Sequence, residues 1–248
     1  MIRTLEDAFW HMHAGLVRQA PGSDASTEHL LELASLPDTA RHALDIGCGP
    51  GRSALVLAQH GLEVTAIDTE DSFLTQLKQS AREQDLEQLV TPERVSMFAI
   101  PYADSSFDVI WSEGAAYIAG WDNALEGWQH LLRPDGKLIL TECCWLTDAP
   151  SIAVRAFWDE GYPTMLTVPQ AVEHANTRGY TVEATYILPD RDWWDEYYTP
   201  LQQRINDNKD SDNTLLQEVI ASEQREINLR KTYPSEYGYV GFVLSRTS

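Results

Sequence analysis

Basic residues are scarce in this chain: 18 Lys and Arg stand against 38 Asp and Glu, a formal net charge of −20 at pH 7. A nucleic-acid partner requires clustered cations to neutralise phosphates. No such cluster occurs, so the expected partner is a small molecule and neither RNA nor DNA. Long hydrophobic runs are missing too. No apolar stretch approaches the roughly 20 residues of a membrane span, and the opening Met-Ile-Arg-Thr-Leu-Glu-Asp lacks the apolar core of a secretory signal. Cysteine is limited to Cys48, Cys143 and Cys144, without metal-type spacing. That predicts reduced structural thiols, a cytoplasmic location and no metal site. The Gly-Lys-Ser/Thr of a Walker loop is also absent.

What is present points to one α/β domain over residues 1–248, large enough to bury a substantial core. The organising stretch is His-Ala-Leu-Asp-Ile-Gly-Cys-Gly-Pro-Gly at 42–51. Ala43, Leu44 and Ile46 suit a short buried parallel strand. Gly47, Gly49 and Gly51 then supply a tight reversal and a close backbone approach to a ligand, and residues 52–60 read as a helix. A helix start after such a loop presents free N–H groups. Val64, Ala66 and Ile67 form a second strand ending at Asp68, seventeen positions after Gly51. That is close to the spacing of about 20 residues at which a carboxylate accepts from a ribose diol. A dinucleotide fingerprint needs its third glycine at position 52, which is Arg52. A nicotinamide-dependent dehydrogenase is therefore disfavoured. Asp45, two residues before Gly47, is placed to orient a ligand ammonium and fix the loop.

Along the chain, residues 1–24 precede the core as a lid segment with Phe9, Trp10, Met12, Leu16 and Val17 at helical spacing. Pro21-Gly22-Ser23 forms a flexible turn suited to closing over a ligand. His11 and His13, two apart, point to different faces and are read as lid or surface residues. Residues 26–36 predict a helix, 72–82 another, 93–98 a third strand, 105–113 a fourth, 121–132 a helix, 133–136 a turn and 137–142 a fifth strand. Strand alternating with helix demands parallel pairing through crossovers. Further on, helices at 152–158 and 168–178, a sixth strand at 180–188 and a seventh at 237–244 flank a polar insert at 190–234. The insert predicts two helices and a second part of the lid. His130 is read as structural.

Leu-Asp-Ile-Gly-Cys-Gly-Pro-Gly with Asp68 resembles motif I and the second-strand acid of class I S-adenosylmethionine-dependent methyltransferases. Ile100-Pro-Tyr-Ala-Asp-Ser-Ser-Phe-Asp-Val and Leu132-Arg-Pro-Asp-Gly-Lys-Leu are similar to segments of enzymes related to quinone-biosynthesis C-methyltransferases. Further marks, among them Pro21-Gly-Ser, Ile110-Trp-Ser-Glu-Gly, Tyr117 and Tyr237-Gly-Tyr, resemble a subgroup of bacterial methyltransferases and run through nearly the whole chain. The resemblance implies a doubly wound, mostly parallel seven-stranded sheet of Rossmann-like type, with the last strand antiparallel between the fifth and sixth. It implies S-adenosylmethionine as cofactor, S-adenosylhomocysteine as product, and Gly22, Ser23, Asp45, Gly47, Cys48, Gly49, Gly51, Asp68, Thr69, Ser112 and Glu113 as the cofactor's surroundings. One departure stands out. Where many relatives carry an acid for the adenine amino group, this chain has Ser96 and Met97. Adenine would then rest on Met97, with a Ser96 or backbone hydrogen bond.

Methyl transfer from a sulfonium requires positioning and exclusion of water more than protein nucleophiles. If the acceptor must lose a proton, Glu113 and Tyr117 are the candidate catalytic residues, both just beyond the fourth strand. Glu113 equally fits a ligand to the cofactor ammonium or a helix cap. Tyr117, Glu142, Trp145 and the aromatics of 193–198 are candidates for the acceptor wall, although for any single aromatic the more ordinary role, with Trp193 and Trp194 pinning the insert to the core, is the expected one. A protein that binds the cofactor without transferring its methyl group is the alternative from another class.

Overall fold

The computed structural model describes residues 2–247. Its elements in chain order are α1 (Leu5–His13), α2 (Asp24–Ala34), β1 (His42–Ile46), α3 (Arg52–Gln59), β2 (Glu63–Asp68), α4 (Asp71–Glu83), β3 (Val90–Arg94) and β4 (Phe107–Glu113). Then come α5 (Ala116–Ala119), α6 (Trp121–Trp128), β5 (Leu132–Trp145), α7 (Ile152–Gly161), α8 (Val168–Thr177), β6 (Tyr180–Ile187), α9 (Arg191–Trp193), α10 (Thr199–Asn208), α11 (Thr214–Thr232) and β7 (Tyr237–Arg246). The seven strands form one sheet in the order β3-β2-β1-β4-β5-β7-β6. β1 to β5 pair in parallel, and β7 runs antiparallel between β5 and β6. The chain reverses direction in strand order at β1 and β4. Ligands of open α/β sheets sit at such a point, beyond the carboxyl ends of the strands.

Two apolar layers cover the sheet. On one face Trp121, Leu125 and Trp128 of α6 and Ala171 and Ala175 of α8 pack on Leu44, Ile110 and Leu140. On the other, Leu30 of α2, Leu55 and Leu57 of α3 and Leu74 and Leu77 of α4 pack on Ala43, Val64 and Val109. A third cluster joins α1, α7, α10 and α11 to the ends of β5 and β7 through Met12, Val154, Leu201, Ile227, Trp145 and Tyr237.

Three local expectations are corrected. The third strand is Val90–Arg94, earlier than 93–98, because its alternating edge residues Thr91 and Glu93 carry no apolar run. The turn at 133–136 lies inside a longer β5. It is absorbed where the register shifts from Phe107↔Leu132 to Val109↔Lys137, with Arg133 Nη1 donating to Asp108 at 2.7 Å. The insert has two helical runs, but the first is α9 continued through a single π turn, Trp194–Tyr198, into α10. Trp193 and Tyr198 are fully buried in the third cluster, where they pin the insert to the core in place of walling the cavity.

Candidate functional site

The glycine loop links β1 to α3 with all three glycines at positive φ: +69° at Gly47, +52° at Gly49 and +85° at Gly51. Their missing side chains do different things. A Cβ at Gly47 would meet Ala115 Cβ at 2.6 Å, and one at Gly51 would run into Leu77, so both serve close packing. A Cβ at Gly49 would meet only Gln19 Cγ, at 3.8 Å. Its backbone therefore borders open space. Gly47 N and Cys48 N donate to Ile67 O at 2.9 and 3.0 Å, which ties the loop to the end of β2.

Asp68 ends β2 beside this loop. Its Oδ2 accepts from Gly49 N at 2.9 Å and its Oδ1 from Glu70 N at 2.9 Å. Asp45 lies beneath, fully buried. Its Oδ2 accepts from Ser53 Oγ at 2.7 Å, while Oδ1 has no hydrogen-bond partner. Burial, reinforced by the charges of Glu113 and Asp68, pushes its carboxyl up to about 7.

A cavity of about 520 Å³ opens over the loop, within the roughly 300–1,000 Å³ of small-molecule sites. Its wall takes Gly47, Cys48 and Gly49 from the loop, Asp68 and Thr69 from the end of β2, Ser96 and Met97 after β3, Glu113 at the end of β4 and Tyr117 from α5. Phe9, Trp10 and residues 17–21 close it from the N-terminal side. No residue of 190–234 reaches the wall. That insert backs the N-terminal segment instead: Ser26 Oγ donates to Asp192 at 2.5 Å and Gly22 N to Asp192 O at 3.1 Å.

The remaining expected residues fall outside the wall. Ser112 is fully buried, its Oγ donating to Ile46 O at 2.9 Å. Ser23 is the N-cap of α2 and accepts from Ser26 N at 3.2 Å. Gly22 lies over an ion pair, where a Cβ would meet Arg18 Nη1 at 3.3 Å and Glu113 Oε2 at 3.6 Å. Glu142 is buried with Oε1 accepting from Cys143 N at 2.9 Å and Oε2 without a partner. Burial pushes its carboxyl up to about 8. Tyr117 stands between the cavity and this group, its ring 5.8 Å from that of Tyr162, its hydroxyl pushed up by desolvation and by the Glu142 charge.

Arg18 is the residue that reading the sequence missed. Only 6% exposed, it donates to Glu196 at 2.8 Å, Asp24 at 2.8 Å and Glu113 at 3.1 Å. Arg52 bonds Asp24 from the other side. Glu113 also accepts from Thr27 Oγ1 at 2.6 Å and from Trp111 Nε1 at 3.0 Å. Desolvation opposes the charge of Arg18, but its carboxylate partners hold its guanidinium above the usual range. The only sequence signal was an arginine amid apolar lid residues, since the acids it gathers lie up to 178 positions away.

Among the described residues there is no cluster of His, Cys, Asp or Glu able to hold a metal. All three cysteines are free and buried, and burial raises each thiol well above its ordinary range.

Residues 44–140 match the methyltransferase domain family. The chain is 28% identical over 178 residues to the methyltransferase GfsG of Streptomyces halstedii, covering 71% of this chain and 62% of that protein. It is 37% identical over 123 residues to the S-adenosyl-L-methionine-dependent Diels-Alderase iccD of Talaromyces variabilis, covering 46% and 40%. The chain thus spans less than two thirds of the length of either curated relative. Among solved structures, it resembles the SAM-dependent methyltransferase of Geobacter sulfurreducens in complex with S-adenosyl-L-homocysteine. That match has a TM-score of 0.81 at 22% identity, covering 96% of this chain and 97% of the other. Sheet order, glycine loop and the match over residues 44–140 agree with the fold of the class I S-adenosylmethionine-dependent methyltransferases.

Proposed function

We propose that the chain transfers a methyl group from S-adenosylmethionine to a small-molecule acceptor. The observation that carries this reading is the state of Asp68. Two backbone N–H groups fix its carboxylate at the cavity wall, where it has no cationic partner. A carboxylate has about four lone-pair sites, so Asp68 keeps the capacity to accept both hydroxyls of a ribose. The rest of the wall fits the same cofactor. Gly49 leaves room for close approach, Met97 offers a polarizable face for adenine with Ser96 beside it, and the orphaned Oδ1 of Asp45 suits a water or donor behind the loop.

S-adenosylmethionine supplies the electrophile, a methyl group on a sulfonium, so the chain's own residues need to bind, orient and exclude water. Phe9, Trp10 and residues 17–21 form the cover that excludes it. Glu113 anchors the cover through Arg18. A base role for Glu113 would have to use the single lone pair that its three donors leave. Tyr117 positions the acceptor. A cytoplasmic location belongs to the same proposal, supported by three free buried thiols. No helix among the described residues is long and apolar enough to cross a membrane. The lack of a basic cluster favours a small acceptor over nucleic acid.

Binding without methyl transfer is a second reading, favoured by the relative named as a Diels-Alderase. Calorimetric titration with S-adenosylmethionine, S-adenosylhomocysteine and NAD, followed by a screen for label transfer to small acceptors, tests both. Binding of the first two with labelled product supports transfer; binding with no labelled product supports the second reading. Binding of NAD alone would overturn both.

A further inference from the structure

Five of the eight large hydrophobic residues left exposed among the described residues ring this one cavity: Phe9, Val17, Phe98, Tyr117 and Ile118. Phe98 is 69% exposed and Ile118 53%. Scattered exposed apolar residues need no explanation, but a set gathered on one opening marks a binding surface. They come from separate parts of the chain: α1, the segment after it, the loop after β3 and α5.

The charges of the same cavity are already committed. Arg18 is bound by Glu113, Glu196 and Asp24, Arg52 by Asp24, and Arg94 pairs with Asp71. Asp68 and Glu70 accept from backbone N–H groups. With Asp68 taken by the cofactor ribose and Glu70 capping α4, Glu6 in the exposed first turn of α1 is the carboxylate left at the wall among the described residues. An anionic acceptor would find no free cation here, and a cationic one only a solvated carboxylate at the rim, where ion pairs contribute little.

Resting on the methyltransferase reading, we propose that the acceptor is an uncharged, largely apolar small molecule that enters between Phe98, Ile118 and the α1 aromatics. Two fluorescent probes that share a skeleton and differ by one sulfonate decide it: neutral N-phenyl-1-naphthylamine and anionic 8-anilinonaphthalene-1-sulfonate. Each is titrated into protein saturated with S-adenosylhomocysteine, at about 0.5 M salt so that the overall negative charge is screened. The expected result is one saturable site for the neutral probe, with the sulfonate bound at least about tenfold more weakly. Ile118→Asp and, independently, Phe98→Ser should each weaken the neutral probe by about tenfold, the scale of one apolar side chain. Circular dichroism confirms that each variant is folded.

Equal or tighter binding of the sulfonate, or displacement of the neutral probe by phenyltrimethylammonium, would overturn the inference in favour of a charged acceptor. A dimer in light scattering that excludes the probe would overturn it in favour of a contact between copies. Binding of S-adenosylhomocysteine with no saturable probe site would remove this inference and leave the methyltransferase reading standing. Failure to bind S-adenosylhomocysteine would remove both.

Discussion

Arg18 Nη1 donates to Glu113 Oε2 at 3.1 Å, joining the N-terminal segment to the end of β4 across the cavity. Through Glu196 and Asp24 the same guanidinium also holds the insert and α2. Removing it leaves carboxylates facing one another with no cation between them. Arg18→Met should therefore lower stability by roughly 2 kcal/mol, discounted for the partly exposed acids. It should also make the segment before α2 more sensitive to limited proteolysis. Unchanged cleavage kinetics would mean that the cover is held by apolar packing alone.

Glu113→Gln keeps the shape of the side chain and removes the charge that faces Arg18. Because the charge of Glu113 holds Arg18 of the cover, the substitution should weaken cofactor affinity more than it slows single-turnover transfer, and leave the pH profile of the rate unmoved. Loss of an ionising limb from that profile would instead make Glu113 the base.

Asp68→Ala should weaken S-adenosylhomocysteine binding by roughly 1.5–3 kcal/mol, the range for hydrogen bonds to a charged group. The loop would loosen with it, since Gly49 N and Glu70 N lose their acceptors. Titration calorimetry reads the effect, and undiminished affinity would refute the assignment of Asp68 to the ribose.

Gly49→Val places a branched side chain in the open space beside that loop, at a φ of +52°. Cofactor binding should be abolished, and the strained backbone should cost about 1–2 kcal/mol of stability. Gly51→Ala should behave in the opposite way. Its Cβ would be driven into Leu77, so stability falls first. Calorimetry together with urea unfolding separates the two.

Glu142 gives the fold a pH dependence. Its native carboxyl is pushed from an ordinary 4.5 up to about 8, so the native chain holds a proton that the unfolded chain releases. Its contribution to stability is complete below about pH 4.5 and is lost as pH rises through about 8. Glu142→Gln retains the acceptor for Cys143 N and should flatten that fall by an amount on the order of a few kcal/mol. Urea midpoints at pH 5 and pH 8.5 measure it. Equal slopes in the two proteins would rule the group out.

Much of the architecture was legible because its signals are local. Gly47 and Gly51 are where only glycine fits, Ile46 and Ile67 are where buried strands end, and Asp68 follows at the expected distance. β3 was displaced because an edge strand carrying Thr91, Pro92 and Glu93 has no apolar stripe to read. The aromatics Trp193 and Tyr198 were legible as important and illegible in placement, since nothing local says whether an aromatic faces a cavity or a helix. Arg18 was illegible for a different reason. Its environment is made by three carboxylates from α2, β4 and the π turn that meet only when the whole chain has folded.

The position of β7 sets an order of assembly. β6 joins the sheet only through β7, so the strand at 180–187 has no backbone partner until residues 237–246 arrive. β1 to β5 close through short crossovers, whereas β7 must span from β5 past α7 to α11, a long loop to close before any contact rewards it. The sheet should therefore fold as two kinetic units. The cofactor half is expected to form on its own contacts while the far edge waits for one strand, and pulsed hydrogen exchange should find amide protection in β6 and β7 appearing together and last.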